Sequence, residues 1–590
     1  MARLTTTHAV DFRPTGLDDV QCVEISVDLL IIGGGNAGCF AAVEARKLRP
    51  DVRVAIMEKA DIRRSGACAA GMDAINTYIP RGRTPEDLVR WSRAQVGGGP
   101  LREDLALSNA RELNGCVEDL ERWGLPIPRD DEGNAVYRGQ WDISIHGEQL
   151  KPIMAEKALE SGADIYNRVT ATGLLVQDGR CTGAMGFGVR DGKFYVFHAG
   201  ATVLSAGGAG TLYKSYTADS TSCGAQIWMC PYCVGSGYAL GFRKGAELTS
   251  MEQRWVATRS KDFCGPIDTI SVGYDSAIIN ARGERIMDRY RELGGEAAPR
   301  YIRANAPMEE WLAGRGPCYC DTTHLSQKQA RDLLTDYLNE RPSFVLFLAG
   351  RGQNVTREPI EIYGSDPYIV GGHTSSGYWV TLDRMTTLPG LFAAGETAGG
   401  NPNKFVGGCA AEGKLAARGA LAWLDAHRLP RCTREPLQVE MERVYAPLLR
   451  SGQEGVRPVE MKERLQRLMD EYAGGVSQYY RTNEERLDYA LRHIKMLQRQ
   501  FYFLTASSLH ELMEAHETMD RVDVAEAVVL HLKARRETRW KGWQTRIDCP
   551  YRDDAHFDCF VESRRDPETG NVTVFTRPYK QLVPGNRHRP

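Results

Sequence analysis

This sequence of 590 residues lacks several features, and each absence excludes a class of protein. No apolar stretch approaches the roughly 18 residues of a membrane-spanning helix, so we expect no membrane span. The segment from Met1 to Glu24 is polar and has no apolar core of a signal peptide, so we expect a cytoplasmic protein. Neither sign of charge predominates, because the chain has 74 Lys and Arg and 76 Asp and Glu. This balance argues against a nucleic-acid partner.

The cysteines are informative through their arrangement. There are 15, an odd number scattered along the chain, as in a cytosolic protein with reduced thiols. No C-x2-C-x2-C run is present, so we expect neither an iron–sulfur cluster nor another metal on this chain. Cys230 and Cys233 have the spacing of a dithiol redox motif, but the βαβ context is missing, and we favour buried free thiols there.

Residues 28–58 carry the strongest local signal. An uninterrupted apolar run before Gly33 predicts a buried parallel strand, and an Ala-rich helix follows Gly38. Gly33, Gly35 and Gly38 have the G-x-G-x-x-G spacing of a dinucleotide-binding turn, where the helix amino terminus receives a pyrophosphate. The next strand ends at Glu58, twenty positions after Gly38, where an acidic residue accepts the ribose hydroxyls. The competing interpretation is that these glycines serve only the turn and its packing.

Later segments predict that the dinucleotide is a flavin. Small residues in 63–76 let the backbone lie flat against a ring system. A second buried strand leads into 206–208, and a third leads into 395–396 before a helix that opens at 407. The residues predicted to bind the cofactor are Gly33, Gly35, Asn36, Ala37, Gly38, Glu58, Lys59, Ser65, Gly66, Ala67, Ala206, Gly207, Gly208, Gly395, Glu396, Gly407 and Gly408.

The order of these motifs predicts an α/β fold with a Rossmann-like FAD-binding domain, an inserted α+β capping domain and a C-terminal helical domain. The predicted boundaries are an N-terminal arm over 1–26, the FAD-binding domain over 27–245 and 373–428, the capping domain over 246–372, and the helical domain with its tail over 429–590. Within the first part, strands between 171 and 198 predict a small antiparallel meander that leads into the second buried strand.

The motifs at 28–35, 206–208 and 390–396 together resemble the succinate dehydrogenase/fumarate reductase flavoprotein family, and 279–290 resembles that family's capping domain. Other runs are similar to one branch, the alpha subunits of dissimilatory-type adenylylsulfate reductases. These runs keep the order and spacing of that branch nearly from end to end of the chain: 65–67, 73–78, 121–127, 145–148, 235–238, 259–266, 367–373, 384–387, 401–405 and 474–476.

The resemblance implies non-covalent FAD and the reduction of adenosine 5′-phosphosulfate to sulfite and AMP, or the reverse, through a flavin N5–sulfite adduct. It implies catalytic roles at the sulfate end for four residues, which are Asn76, Trp228, Arg259 and His373. A sulfonyl group is negatively charged, so a bidentate arginine and hydrogen bonds from an amide and an imidazole suit it. Arg303 and Lys261 are the residues expected to bind the rest of the substrate. The electron partner that the resemblance implies is a small ferredoxin-like iron–sulfur beta subunit.

The chain also departs from that branch, and the departure keeps alternatives open. The stretch from Thr269 to Val272 stands where the branch has a Trp-Phe-Leu-Leu run that grips adenine. The first alternative is a fumarate reductase-like enzyme, although Pro367 occupies the position of that family's substrate histidine and Lys404 lies near that of its arginine. The second alternative is a non-catalytic flavin subunit that only transfers electrons within a redox complex, which the altered adenine stretch favours.

Overall fold

The computed structural model describes residues 4–5, 8–215, 229–263, 265, 267–427 and 435–585, so the predicted catalytic Trp228 lies outside the described residues. The α-helices are α1 Asn36–Leu48, α2 Pro85–Gln95, α3 Glu103–Ala110, α4 Leu113–Arg122, α5 Leu150–Glu160, α6 Ser236–Phe242, α7 Ile267–Ile270, α8 Arg300–Leu312, α9 Gln327–Glu340, α10 Pro342–Gly350, α11 Phe405–Ala426, α12 Glu435–Leu449, α13 Pro458–Tyr472, α14 Glu484–Arg499, α15 Leu509–Ala534 and α16 Asp554–Phe557. Within the described ranges, no helix combines the length and the apolar character that crossing a membrane requires.

The strands form one large sheet and several small ones. Their bounds are β1 Leu4–Thr5, β2 Cys22–Ile32, β3 Val54–Glu58, β4 Ala74–Asn76, β5 Asp142–Ser144, β6 Asp164–Asn167, β7 Val169–Gln177, β8 Arg180–Gly188, β9 Phe194–Leu204, β10 Leu248–Thr249, β11 Thr258–Ser260, β12 Ala277–Ile279, β13 Cys318–Asp321, β14 Ile360–Gly364, β15 Gly377–Tyr378, β16 Leu391–Ala393, β17 Arg481–Thr482, β18 Thr545–Arg546, β19 Cys559–Arg565 and β20 Val572–Pro578. The predicted α/β fold class is confirmed.

The large sheet has the order β1-β6-β3-β2-β9-β8-β7, and β16 pairs with β9. Strand β2 runs parallel to β3 on one side and to β9 on the other. Leu29 and Ile31 pack into one hydrophobic cluster, whereas Leu30 and Ile32 pack into another. Because both faces of this central strand are covered, its sequence is a continuous apolar run instead of an alternating one.

The predicted antiparallel meander is present, and its last strand is longer than expected. Strands β7, β8 and β9 are antiparallel neighbours. The predicted strand that ends at His198 and the buried strand after it form one element, β9. Strand β2 correspondingly begins at Cys22, inside the segment predicted as an arm, because its first residues pair with β9 from Phe194 onward.

A second unit lies between β10 and β15. Its four-stranded antiparallel sheet has the order β11-β14-β13-β12, and helices α7 to α10 pack around a hydrophobic cluster that includes Ile270, Ile302 and Phe344. This sheet spans residues 258–364 and lies within the segment 246–372 that was predicted as the capping domain. The domain boundaries themselves stay predictions.

The C-terminal region is helical as far as Ala534, as expected, but the prediction is incomplete beyond that point. Strands β19 and β20 form an antiparallel hairpin, and β19 joins β10 and β15 in a four-stranded sheet. Charged residues interrupt the apolar pattern of these strands, so the sequence predicted a polar tail for this stretch. Trp540 and Trp543 are buried just before the hairpin, and their indole N–H groups donate to the backbone oxygens of Val96 at 2.7 Å and Val256 at 3.0 Å.

Candidate active site

Closely packed glycines form the turn between β2 and α1. Gly33 has a φ of +100°, and a Cβ on it would lie 2.7 Å from the Ser205 backbone oxygen. A Cβ on Gly38 would lie 2.0 Å from the Gly33 oxygen, so the helix packs directly on the turn. No side chain in the described part of the chain caps the amino end of α1 at Gly35, and none of its first-turn residues is acidic. This helix end therefore suits an anionic pyrophosphate.

Glu58 ends β3 beside this turn and is held there by hydrogen bonds. Its two carboxylate oxygens accept from the backbone N–H groups of Gly34 at 2.8 Å and Ala60 at 2.7 Å. The Lys151 ammonium group donates to the Gly34 oxygen at 2.7 Å, so both peptide groups that flank the Gly34 Cα are held by side chains. Each oxygen of the Glu58 carboxylate keeps a further lone pair with which it can accept a ligand hydroxyl.

A cavity of about 460 Å³ opens from this turn, and we call it the cofactor cavity. Its volume lies in the range of roughly 300–1,000 Å³ that is typical of cofactor and ligand sites. The Oδ1 atom of Asn36 and the Oγ atom of Ser65 are buried at its wall and have no hydrogen-bond partner among the described residues. Buried polar atoms are normally satisfied, so these two indicate a polar ligand in the cavity. The residues present fit FAD.

Most of the predicted cofactor residues line this cavity: Gly33, Gly35, Asn36, Ala37, Glu58, Lys59, Ser65, Gly66, Ala67, Ala206, Gly207, Gly395 and Glu396. The others lie next to it, and these are Gly38, Gly208, Gly407 and Gly408. A Cβ on Gly407 would lie 2.6 Å from the Thr77 oxygen, and one on Gly408 would lie 2.9 Å from the Lys404 Cβ. These two glycines therefore allow the first turn of α11 to pack closely, and direct contact with the cofactor stays a prediction for them.

Segments that are far apart in the sequence meet at the cofactor cavity. Strand β16 lies parallel to β9, and the backbone N–H of Gly208 donates to Glu396 Oε2 at 2.9 Å. The side-chain amide of Asn36 donates to the Val406 oxygen at 2.6 Å, which joins the first turn to the start of α11. The three predicted cofactor motifs therefore surround one site.

Two of the predicted catalytic residues contact the same aromatic side chain. His373 lines the cofactor cavity, and its ring centroid lies 4.8 Å from that of Trp255. Arg259 Cζ lies 5.3 Å from the centroid of the same Trp255 ring. All three side chains are buried. Neither Arg259 nor Trp255 is among the described residues that line the cavity, so His373 is the member of this group that lies in its wall.

Two further side chains complete this end of the cavity. Phe405 also lines it, with its ring centroid 4.8 Å from that of His373, and Arg300 Cζ lies 5.0 Å from the Phe405 ring. The predicted catalytic Asn76 lines the cavity from β4, and its side chain bonds to Asp142 on β5. We call the region formed by Trp255, Arg259, Arg300, His373 and Phe405 the cationic end.

Electrostatics at the cationic end favour an anion. Burial, together with the charges of Arg300 and Arg259, holds the pKa of His373 well below its ordinary value, so the imidazole is neutral at neutral pH. Burial also raises the pKa of Glu396, although the hydrogen bond from the Gly208 N–H opposes this shift. The neutral His373 adds no charge at this end, and the guanidinium groups of Arg300 and Arg259 are the positive charges that act on it.

The two residues predicted to bind the rest of the substrate lie away from the cavity lining. Lys261 Nζ forms an ion pair with Glu361 Oε1 at 2.9 Å on the capping sheet. Arg303 is buried in α8 about one turn after Arg300, and its backbone oxygen accepts from the Thr258 hydroxyl at 3.1 Å. Their roles in substrate binding stay predictions.

Sequence reasoning missed Trp255, Arg300 and Phe405. Nothing in the sequence distinguishes Trp255 or Phe405 from ordinary core aromatics. Arg300 did offer a signal, since it is the first residue of α8, where the helix dipole disfavours a cation. A residue that breaks a local preference in this way often serves a site formed by other parts of the chain.

Comparison with known proteins agrees with this site. The family model described as "FAD binding domain" matches residues 28–411, and the one described as "Fumarate reductase flavoprotein C-term" matches 462–587. The alpha subunit of adenylylsulfate reductase from Megalodesulfovibrio gigas is 30% identical, over 97% of this chain and 98% of that protein.

Solved structures give the same result. Adenylylsulfate reductase from the hyperthermophile Archaeoglobus fulgidus superposes with a TM-score of 0.91 at 35% identity, over 98% of this chain and 99% of that one. A structure titled as adenosine-5-phosphosulfate reductase in complex with sulfite as a covalent adduct has the same TM-score, identity and coverage. The chain therefore belongs to the FAD-binding flavoprotein family that includes adenylylsulfate reductase alpha subunits and fumarate reductase flavoproteins.

Proposed function

We propose that this chain is the FAD-dependent catalytic subunit of an adenylylsulfate reductase-type enzyme, which interconverts adenosine 5′-phosphosulfate with sulfite and AMP. The similarity to adenylylsulfate reductases extends over nearly the whole chain, so it includes the capping unit as well as the FAD-binding domain. A similar structure holds sulfite as a covalent adduct, and this supports sulfite as one of the reactants here.

The observation that carries the proposal is the contact of Arg259 and His373 with Trp255 at the cofactor cavity. A sulfur oxyanion needs fixed positive charge and hydrogen-bond donors that do not have to reorganise during the reaction. Arg259 offers a planar guanidinium that can pair bidentately with two oxyanion oxygens. Its burial makes such a pairing stronger than at an exposed site, because water competes less for the same groups.

Each remaining residue of the cationic end has a role in this proposal. His373 is neutral, so it binds one oxyanion oxygen as a hydrogen-bond donor and adds no charge. Arg300, placed over the Phe405 ring, contributes a second positive charge to the anion site. Asn76, which also lines the cavity, supplies a neutral amide. FAD, when bound in the cofactor cavity, supplies the two-electron chemistry of the reaction.

The adenosine end of the substrate is recognised differently in this chain. The stretch 269–272 stands where the similar enzymes carry an adenine-gripping run, and in this structure Ile270 is 2% exposed within the hydrophobic cluster of the capping unit. The Ser271 hydroxyl forms a hydrogen bond with the Tyr337 hydroxyl at 2.7 Å. Because both side chains are occupied in the capping core, we propose that Arg303 in α8 carries the adenine contact.

We further propose a small iron–sulfur protein of the ferredoxin type as the electron partner. The similar protein from M. gigas is named as a subunit alpha, so that enzyme has at least one other subunit. The described residues contain no cluster of His, Cys, Asp or Glu that could hold a metal ion. We therefore propose that the electrons reach the cofactor cavity from this second protein.

Spectroscopy on the purified, oxidised protein tests this proposal. Sulfite should bleach the visible flavin band reversibly, and adenosine 5′-phosphosulfate should reoxidise the dye-reduced protein with release of AMP. If instead fumarate reoxidises the reduced protein and sulfite leaves the spectrum unchanged, the enzyme is of the fumarate reductase type. If neither substrate reacts but an iron–sulfur protein binds tightly, the chain is an electron-transfer subunit and the proposal is wrong.

A further inference from the structure

Cys230 and Cys233 occupy a tight turn in the wall of the cofactor cavity. Both residues line the cavity, and the backbone N–H of Cys233 donates to the Cys230 oxygen at 3.0 Å, which closes the turn through Pro231 and Tyr232. Tyr232 at the tip is 55% exposed, whereas Cys233 is buried. One face of this turn therefore meets solvent and the other meets the cavity.

The two thiols differ in burial and interact with each other. Both are free thiols in this structure, with Cys230 half-buried and Cys233 buried. The Sγ atom of Cys233 lies 3.1 Å from the position of a Cβ on Gly207, so it lies against the second glycine motif. A hydrogen bond between the side chains of Cys230 and Cys233 is the largest effect on the pKa of Cys230, which is lowered to about 7.

The turn is held in place by contacts outside it. The Tyr232 backbone oxygen accepts from Lys59 Nζ at 2.6 Å, and the same ammonium group pairs with Glu517 Oε1 at 2.5 Å. The Gly210 N–H donates to the Cys233 oxygen at 2.7 Å. The positive charge of Lys59 also favours the thiolate of Cys230. This arrangement of a half-buried thiol that is hydrogen-bonded to a buried second thiol does not require a βαβ motif.

We propose that Cys230 and Cys233 form a redox-active dithiol site that reacts with small-molecule disulfides and closes to an intramolecular disulfide in the wall of the cofactor cavity. Cys230 is the attacking thiol, because it is the more accessible of the two, and Cys233 is the resolving thiol. The site is separate from the sulfur-oxyanion chemistry above and does not depend on it.

The reaction balances in two exchange steps. The Cys230 thiolate attacks one sulfur of the small disulfide, which forms a mixed disulfide and expels one small thiolate. The Cys233 thiol loses its proton, and its sulfur attacks Cys230 Sγ, which forms the intramolecular bond and expels the second small thiolate. Two protein thiols are oxidised by two electrons, the small disulfide is reduced by two electrons, and the two protons end on the two expelled thiols.

Peptide mapping of the flavin-loaded, full-length protein tests this site. The reduced protein is incubated with oxidised glutathione, its remaining thiols are alkylated, and the peptides are analysed without reduction. We expect a disulfide between Cys230 and Cys233, reversed by dithiothreitol. In the Cys233→Ser variant we expect one glutathione to remain attached at Cys230. Recovery of both cysteines as free, alkylated thiols in the wild-type protein would overturn the proposal, and this mapping does not depend on any variant folding.

Alkylation kinetics give a second readout. Cys230 should react about tenfold faster at neutral pH than an ordinary cysteine, with a midpoint near the value of about 7 given above, and Cys233→Ser should slow it. Cys318 provides the matched control, because it belongs to the closely spaced pair Cys318 and Cys320, is buried, and has a pKa raised to about 12, chiefly by burial. Disulfide formation should be unchanged in Cys318→Ser. Equal alkylation rates for Cys230 and Cys318 would contradict an activated thiol.

Discussion

The indole of Trp255 lies against the imidazole of His373, with ring centroids 4.8 Å apart and an interplanar angle of 53°. The guanidinium of Arg259 approaches the same indole, so one aromatic side chain positions two polar groups that are far apart in the sequence. An indole face attracts a cation, and this contact helps to keep Arg259 in place within a buried environment. We therefore propose Trp255 as a positioning residue for the anion site.

The first prediction concerns Arg259. Arg259→Ala removes a buried guanidinium, and loss of a charge-assisted hydrogen bond of about 1.5–3 kcal/mol should weaken sulfite binding at least about tenfold. Arg259→Lys keeps the charge but loses the bidentate fork, so the sulfite affinity of this variant should lie between those of the wild type and Arg259→Ala. Flavin absorbance titrated with sulfite measures each affinity.

The matched control for Arg259 is Arg351→Ala. Arg351 pairs with Asp262 at 2.9 Å on the exposed surface of the capping unit, so its loss should leave the sulfite affinity unchanged. FAD content should stay at the wild-type level in all three variants. Full sulfite affinity in Arg259→Ala would exclude this arginine from the anion site.

The second prediction concerns the protonation of His373. The pKa of folded His373 is held well below its ordinary value, first by burial and then by Arg300 and Arg259. An unfolded histidine takes up a proton near pH 6.5, whereas folded His373 does not, so the free energy of unfolding should decrease as the pH falls below about 6.5. His373→Gln should remove this part of the pH dependence.

Thermal melting of the wild type and His373→Gln at several pH values checks the sign. As the pH is lowered from about 7 to about 5, the melting temperature of His373→Gln should rise relative to that of the wild type. A difference that stays constant over this range would mean that His373 is not held neutral. Sulfite affinity of the wild type should show no titration of His373 between about pH 6 and 8.

The third prediction concerns the glycine turn. Gly33→Ala combines a φ of +100° with a Cβ that would lie 2.7 Å from the Ser205 oxygen, so the turn has to shift. We expect the variant to lose most of its FAD. Gly115→Ala in α4 is the control, because its Cβ would have nothing within 4 Å and alanine favours a helix. Absorbance per protein after gel filtration measures the bound FAD, and equal FAD in both variants would contradict the role of the turn.

The fourth prediction concerns a buried ion pair. Arg384 donates to Glu412 through Nε at 3.0 Å and Nη2 at 2.9 Å, and both side chains are buried. Arg384→Ala leaves the Glu412 carboxylate without this partner, which should cost about 3–5 kcal/mol of stability. The exposed pair of Arg13 with Asp11 is the comparison, and Arg13→Ala should melt close to the wild-type temperature, because water solvates both groups.

Melting temperatures of the variants measure this difference. Replacing both partners of the buried pair, as in Arg384→Met with Glu412→Leu, should recover part of the stability lost in Arg384→Ala. If Arg384→Ala melts at the wild-type temperature, the buried pair makes no net contribution to folding.

Local chemistry was sufficient to predict several parts of this protein. The strand before Gly33, the turn, helix α1 and the strand that ends at Glu58 are consecutive in the chain, so periodicity and glycine spacing describe them. The same reasoning found α15 and the meander. It failed for β19 and β20, since their charged residues belong to strands whose stability comes from pairing with β10 and with each other.

The cationic end shows the limit of sequence reasoning more clearly. Resemblance to a family suggested Arg259 and His373, but no local pattern indicates that they share Trp255 or that Arg300 lies nearby. The contact of Gly208 with Glu396 likewise joins two segments separated by 188 positions. Such contacts depend on how the capping unit, β16 and α11 pack on the sheet. Packing between segments that are distant in the sequence produces no periodic pattern in the sequence.

The sequence by itself therefore determined the succession of strand, glycine turn, helix and strand over residues 28–58, and the absence of a cluster-binding cysteine run. Only the tertiary structure decided which charged groups lie close together at the cofactor cavity and which of them are buried. It also decided where the two thiols of the C-x-x-C turn lie. The physical reason is that desolvation and charge interaction depend on distances through space, which the packing of distant segments sets.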